Sequence, residues 1–321
     1  MTTPYEDKPR PSELNDVRGW FPPLDQVLFE KLLTRQEERG ERGDLLELGV
    51  FMGKSAIFLG HHLRDGEKFT VCDLFESEAP DQANGAETAK SYATLTREAF
   101  ERNYLSFHDE LPRVLQAPSS VVADEVEPKS SRFVHIDASH LYEHVYGDIG
   151  AARDILLPGG IVVLDDFRSE HTPGVSIAAW EAVLNRGLRP ICLSTQKLYA
   201  TWDDPEPIQD ELIAMAQERA DCDLSLQQAA GHRIVRLRSR GMKAPDFPYS
   251  KYYVEPKPEP EPEKPAAPVA AAAPAPAPAP AAPRRRSTRS KVRRVAIDVL
   301  PPVITRAVQR SRARSRARLQ G

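Results

Sequence analysis

Two acids, two glycines and a serine form the first set of residues whose types and spacing imply chemistry. Glu47, Gly49, Gly53 and Ser55 follow one another as Glu-x-Gly-x-x-x-Gly-x-Ser. Gly49 admits a tight turn after a strand, and Gly53 lets backbone approach a ligand closely. A dinucleotide fingerprint would read Gly-x-Gly-x-x-Gly and set helix N–H groups against a pyrophosphate. Here an acid replaces the first of those glycines, which suits a ligand with an ammonium group and no phosphate. Asp73 lies 26 residues after Glu47, at the end of the next apolar run. An acid there accepts hydrogen bonds from both hydroxyls of a ribose. Any strand-to-helix turn that needs glycines would give part of this pattern, and Asp73 is what narrows it.

A second set is acidic. Asp137 and the pair Asp165-Asp166 are 28 residues apart, the length of one strand–helix–strand unit. Adjacent parallel strands lie ~4.8 Å apart, so acids at their ends converge. Three carboxylates without a cysteine favour a hard, oxygen-seeking cation, Mg2+ first, then Mn2+ or Ca2+. The alternative is that Asp165-Asp166 caps the next segment and Asp137 is an ordinary loop acid. His140 stands three residues after Asp137. A metal-bound hydroxyl has a lowered pKa, and a neutral imidazole near pH 7 can take its proton. Orientation of Asp137 or of a substrate is the other role open to His140. His140 and His144 have zinc-like i,i+4 spacing, but no acid or third ligand completes that pattern. His171, in the loop after Asp166, is either an ordinary loop histidine, the commoner case, or part of an acceptor pocket's lining.

These residues need a scaffold that brings strand ends together. Short apolar runs at Leu45–Leu48, Phe69–Cys72, Val114–Gln116, Phe133–Ile136 and Ile161–Leu164 read as buried strands. Between the last two, Val145, Ile149, Ala152 and Leu156 mark a helix face, which ends at Pro158-Gly159-Gly160. Pro22-Pro23 opens an earlier helix through Leu24, Val27, Leu28 and Leu32 that runs into the charged stretch Arg35–Arg42. Later pieces are helices near Val175–Leu184 and Ile208–Arg219, and strands near Pro190–Leu193, Leu198–Trp202 and His232–Leu237. The alternation predicts an α/β fold, a doubly wound, mostly parallel Rossmann-like sheet of the seven-strand type with one antiparallel edge strand. The polar stretch Glu76–Lys90 is suited to a lid.

Composition divides the 321 residues unevenly. The hydrophobic fraction of 40% suffices for a core, yet 29 prolines are too many for one compact domain, and most of the excess sits between Pro256 and Pro283. We divide the chain into a lead and helix (1–42), a catalytic domain (43–248), a Pro/Ala-rich linker of polyproline-II type (249–283) and a basic tail (284–321). The tail holds 13 Lys and Arg and one acid, Asp298; it carries +12 and the rest −16, against −4 overall. Val292, Val295, Ala296, Val299, Leu300, Val303, Ile304, Ala307 and Val308 recur at helical spacing there, interrupted by Pro301-Pro302. A basic amphipathic stretch fits an anionic membrane surface. Nucleic acid is the weaker reading, and a fold-back on the acidic body or a disordered end also stay open. Cys72, Cys192 and Cys222 form no CxxC pair, which suits reduced thiols and a cytoplasmic protein, peripheral at the inner membrane surface if the tail binds lipid. Met1–Glu13 lacks the apolar core of a signal peptide.

The run Glu47–Ser55 with Asp73 resembles the cofactor motif of class I S-adenosylmethionine-dependent methyltransferases. Phe133-Val-His-Ile-Asp-Ala-Ser-His-Leu-Tyr-Glu143 and Leu157-Pro-Gly-Gly-Ile-Val-Val-Leu-Asp-Asp-Phe167 are similar to the macrocin and mycinamicin sugar O-methyltransferases, and more distantly to catechol O-methyltransferases. The resemblance covers about residues 20–205. It implies S-adenosyl-L-methionine at Glu47, Gly49, Gly53, Ser55 and Asp73. It implies a divalent metal at Asp137, Asp165 and Asp166, and a base at His140. The family's strand-three turn reads Gly-Asp-Ser before the adenine. Ala117-Pro118-Ser119-Ser120 stands here, which makes Ser119 and Ser120 the candidates. The implied reaction is methyl transfer to a hydroxyl of a small molecule, a sugar of a metabolite or glycolipid, and a homo-oligomer is compatible with it. The rivals are a hydroxylase-like enzyme on the same scaffold and a non-catalytic cofactor-binding module. An amino-methylating nucleic-acid enzyme would carry an Asn/Asp-Pro-Pro-aromatic run where Leu164-Asp-Asp-Phe167 stands.

Overall fold

The computed structural model describes residues 9–80, 82–85 and 95–255. The basic tail, the linker from 256 on, and residues 81 and 86–90 of the proposed lid lie outside the described residues.

Helix α1 (Pro23–Glu38) opens with a proline in its first turn, as Pro22-Pro23 predicts. The chain then alternates: β1 (Asp44–Leu48), α2 (Lys54–His61), β2 (Phe69–Asp73), α3 (Arg97–Phe107), β3 (Arg113–Gln116), α4 (Val122–Glu125), β4 (Ser131–Ile136), α5 (Tyr142–Ile155) and β5 (Leu156–Leu164). After these come α6 (Pro173–Asn185), β6 (Arg189–Leu193), β7 (Leu198–Thr201), α7 (Glu206–Glu218), β8 (Cys222–Ala229) and β9 (His232–Ser239). The strands form one sheet in the order β3-β2-β1-β4-β5-β7-β6-β9-β8, with β3 through β5 parallel. The order reverses between β1 and β4, so their carboxyl ends open a crevice of the kind that holds ligands in doubly wound sheets.

Side chains on a strand alternate between faces, and the two halves of the core follow this rule. Leu45, Phe133, Ile161 and Val163 face a cluster built with α1, α2 and α7. Leu46, Leu48, Val134, Ile136, Val162 and Leu164 face the cluster of α5 and α6. Burial on both faces is why these strands read as continuous apolar runs rather than alternating ones. Phe29 of α1 packs edge-on against Phe133 and His135, each at 5.1 Å, and so fixes the underside of the sheet beneath the site.

Three features differ from the sequence reading. The antiparallel strand is not at an edge: β7 lies between β5 and β6, antiparallel to both, and the β8–β9 hairpin extends the sheet beyond β6. β8 escapes the apolar pattern because most of it is exposed. The Pro158-Gly159-Gly160 turn is absorbed into β5, which starts at Leu156 and changes register before Ile161. The folded body also runs past residue 248. Ser250 N–H donates to Ser12 O at 2.9 Å, its hydroxyl to Pro11 O at 2.6 Å, and Lys251 N–H to Ser106 O at 2.9 Å.

Candidate active site

The crevice at the carboxyl ends of β1, β2, β4 and β5 is a cavity of about 1280 Å³. It is lined by the Gly49–Phe51 turn, Lys54, Ser55 and Asp73, by Ala117–Ser120 and Asp148, and by Asp137, His140, Asp165 and Asp166. Trp20 borders the cavity from the N-terminal segment and stacks on Phe51 with ring centroids 5.6 Å apart.

Gly49 holds the turn closed. Its φ is +77°, and a Cβ there would lie 2.0 Å from Asp137 O. No side chain fits, because the backbone of β1 and that of β4 meet at this point: Asp137 N–H donates to Leu48 O at 2.7 Å. The cofactor-side turn and the acidic cluster are therefore joined through backbone. Gly53 has a different role from the one its spacing suggests. It caps α2 with φ +92°, and its missing side chain makes room for the Phe100 ring, 3.0 Å from where a Cβ would stand, not for a ligand.

Asp73 lines the cavity, but its carboxylate is already engaged. Oδ2 accepts from the N–H groups of Val50 (2.7 Å) and Phe51 (3.0 Å), and Oδ1 from Phe75 N–H (2.8 Å). Burial raises its pKa against the opposing effect of these three bonds. A carboxylate accepts about four hydrogen bonds, so room for a further donor remains.

Glu47 departs from expectation. It does not line the cavity; it is completely buried. It shares the parity of Leu45, so it points beneath the sheet toward α1 instead of out of the crevice. There its Oε1 lies 2.7 Å from Nδ1 of His135, its register partner on β4, and Ser55 hydrogen-bonds to it from the cavity side. Burial pushes its pKa up to about 8.

Ser119 and Ser120 both line the cavity. Ser119 hydrogen-bonds to the carboxyl of Asp148 on α5, a nearly buried acid whose pKa burial raises to about 6. Pro80 and Asn84, in the described part of the Glu76–Lys90 stretch, also border the cavity, as does His171.

The acidic residues converge as predicted, though not as one triangle. Asp137, His140 and Asp166 offer ligand atoms within 4.8 Å of one another, and Asp137, Asp165 and His135 form a second such group. Asp137 belongs to both. Burial and then the adjacent Asp165 push the Asp137 carboxyl well above the usual range. Burial would also raise Asp165, but the charge and hydrogen bond of Lys197, together with the neighbouring His135, hold it below the usual carboxylate range. Asp166 adopts a left-handed backbone, φ +52°, which aims its carboxylate at His140 Nε2, 3.0 Å away. Hydrogen bonds from His140 and Ser169 overcome its burial and hold it at about 2.

Two residues of this cluster carry no motif in the sequence. His135 sits inside an apolar strand. Lys197 is fully buried at the turn before β7 and contacts Asp165 Oδ2. Only the antiparallel register that pairs Leu164 with Leu198 brings it beside Asp165.

Residues 46–167, which run from β1 to just past Asp166, match the family model described as a methyltransferase domain. This segment is thus similar to methyltransferase domains. It holds the Gly49 turn, Asp73 and the whole acidic cluster except Lys197. Among curated proteins nothing matches the chain. Solved structures that it resembles in fold include the O-methyltransferase NovP, at 20% identity and a TM-score of 0.46 over 55% of this chain and 78% of that one. Another is CalS11, a TDP-rhamnose 3'-O-methyltransferase of calicheamicin biosynthesis, at 18% identity and 0.40 over 57% and 82%. A third is the MycE methyltransferase of the mycinamycin pathway, in complex with Mg, SAH and mycinamycin VI, at 16% identity and 0.37 over 61% and 55%.

Proposed function

We propose that the methyltransferase domain transfers a methyl group from S-adenosylmethionine to a hydroxyl of a small molecule, and that it does so with a divalent cation, Mg2+ first. The observation that carries this reading is that Asp137, His140 and Asp166 open into the same cavity as the Gly49 turn and Asp73. A cofactor at that turn thus shares the cavity with a cluster able to hold and deprotonate an alcohol.

The residues fit both groups. Gly49–Phe51, Asp73, Ser119 and Ser120 line the cavity, and Lys54 brings a cation there for the carboxylate of an amino acid. Bound S-adenosylmethionine supplies an electrophilic methyl on a sulfonium. Glu47 is not available to its ammonium group, so that group falls to carboxylate or carbonyl oxygens that line the cavity. Asp137 and Asp165 are adjacent carboxyls, an arrangement that a divalent cation relieves. Asp137, Asp165 and Asp166 would hold such a cation, which lowers the pKa of a coordinated hydroxyl.

The chain's own residues then do three things. The cavity walls hold the acceptor in line with the methyl, the positioning that supplies much of such catalysis. His140 Nε2 lies 3.0 Å from Asp166 Oδ2, which orients the imidazole beside the acidic cluster. His140 takes the hydroxyl proton there as the acceptor oxygen bonds to the methyl carbon and the thioether departs. A sugar bearing a vicinal hydroxyl pair is the acceptor that the motif resemblance favours. The test is a screen of hydroxylated glycosides with methyl-labelled cofactor. A labelled O-methyl sugar with S-adenosylhomocysteine supports the reading, whereas a hydroxylated product, or no S-adenosylhomocysteine with any acceptor, contradicts it.

The basic tail is a separate proposal: its apolar stripe and cationic residues bring the chain to an anionic membrane surface at the cytoplasmic side.

A further inference from the structure

Three buried polar side chains, Glu47, His135 and Lys197, have no part in the proposed reaction and connect two residues of the cavity lining, Ser55 and Asp165. Ser55 at the start of α2, Glu47 on β1, His135 on β4, Lys197 just before β7 and Asp165 just after β5 follow one another in contact. Period-two alternation puts them on one face: Glu47 shares the parity of Leu45, His135 that of Phe133, Asp165 that of Val163 and Lys197 that of Tyr199. Lys197 Nζ is the hub. It donates to Asp165 Oδ2, and it lies 3.2 Å from His135 Nε2. An ammonium has donors only, so His135 Nε2 accepts, the ring proton sits on Nδ1, and Nδ1–H donates to Glu47. Lys197 is itself rigidly held. Its N–H donates to Ser194 Oγ at 3.0 Å and its carbonyl accepts from Ser194 N–H at 3.0 Å, closing the β6–β7 turn.

Asp165 is held from both sides in consequence. Oδ1 accepts from Asp166 N–H at 2.7 Å, and Oδ2 accepts from Lys197. Its carboxylate is fixed against Asp137 by the protein alone. Three ionised carboxylates in this cluster would carry three negative charges; the ammonium leaves two, the charge that one divalent cation balances. Asp25, on the far side of Lys197, is fully buried and accepts a hydrogen bond from Tyr199 at 2.7 Å.

We propose that Lys197 is a positioning residue, a resident counter-cation that fixes Asp165 and sets the acidic cluster to receive a single divalent cation. This rests on the metal-assisted reading above. A lysine that merely fills space in the core would have no reason to interact with Mg2+ binding; a counter-cation must.

The experiment is thermal unfolding of the full chain in EDTA and in millimolar Mg2+, for wild type, K197M and K197R. Wild type should gain several degrees from Mg2+. K197M should melt lower in EDTA and gain at least twice the wild-type increment from Mg2+, because the added cation takes over the neutralisation of Asp165. K197R should follow wild type. An Mg2+ increment in K197M equal to that of wild type overturns the proposal. Absence of any increment in wild type instead overturns the metal reading, and this proposal with it. Should K197M fail to fold in both conditions, K197M/D165N decides: restored folding supports the pairing, and continued failure overturns it.

Discussion

His140 Nε2 lies 3.0 Å from Asp166 Oδ2, a contact that helps to orient the imidazole and, with Ser169, to keep the acid ionised. His140→Ala should therefore do two things. Loss of a general base lowers kcat by about 10²-fold. Loss of the hydrogen bond also lets the Asp166 pKa rise from about 2. The pH–rate profile between pH 6 and 8 should lose its ascending limb. An unchanged profile with near-normal kcat would assign the proton to another acceptor.

Asp73 clamps the Gly49–Phe51 turn through two N–H groups and accepts a third bond from Phe75, so its removal does more than delete a ribose contact. Asp73→Ala should weaken S-adenosylmethionine binding by about ten- to a hundredfold, at ~1–1.5 kcal/mol for each hydrogen bond lost. It should also lower the unfolding temperature. Calorimetric titration of the folded variant is the check, and unaltered affinity would remove Asp73 from the cofactor site.

Glu47 and His135 give the fold a pH dependence whose sign can be worked out. Folded Glu47 keeps its proton to about pH 8, against an ordinary 4.5, so its contribution is complete below 4.5 and is lost as pH rises through 8. Folded His135 stays neutral well below its ordinary 6.5, so its contribution is lost as pH falls below 6.5. Below 6.5 the two slopes oppose each other. From 6.5 to 8 only the Glu47 slope remains, and stability should fall by about 2 kcal/mol. Glu47→Gln, measured by chemical denaturation across this window, should flatten the slope. A variant with the wild-type slope would show that Glu47 is ionised in the fold.

The basic tail should bind anionic vesicles. In co-sedimentation, the full chain should pellet with anionic vesicles and stay in solution with neutral ones, and a chain truncated after Val254 should stay in solution with both. Equal behaviour of the two chains, or salt-sensitive RNA binding without vesicle binding, would contradict the membrane proposal.

The parts of the site that were legible in the sequence are those that depend on strand ends. Asp73, Asp137, Asp165 and Asp166 each close a buried apolar run, and a parallel sheet brings such ends together whatever the loops do. The misread residues depend on parity or on long-range register. Glu47 lies one residue from the last of its strand, and alternation turns it beneath the sheet. Lys197 reaches Asp165 only because β7 runs antiparallel inside the sheet, a pairing that no local pattern encodes. Gly53 shows the limit of glycine spacing: its constraint comes from Phe100, which is 47 residues away in sequence. β8 is exposed over most of its length, so no apolar signal marks it.

The central claim is methyl transfer from S-adenosylmethionine to a hydroxyl at the acidic cluster of the cavity. The most direct measurement is the yield of S-adenosylhomocysteine and of labelled O-methyl product from the purified full chain. It should be run with a vicinal-diol glycoside, once with Mg2+ and once after exhaustive chelation. The account predicts equimolar product and S-adenosylhomocysteine with Mg2+, and at least a hundredfold less of both after chelation, the scale expected when a Lewis acid worth several kcal/mol is removed. Full turnover in verified absence of metal would contradict the role given to Asp137, Asp165 and Asp166. Product formation without S-adenosylhomocysteine would contradict methyl transfer itself.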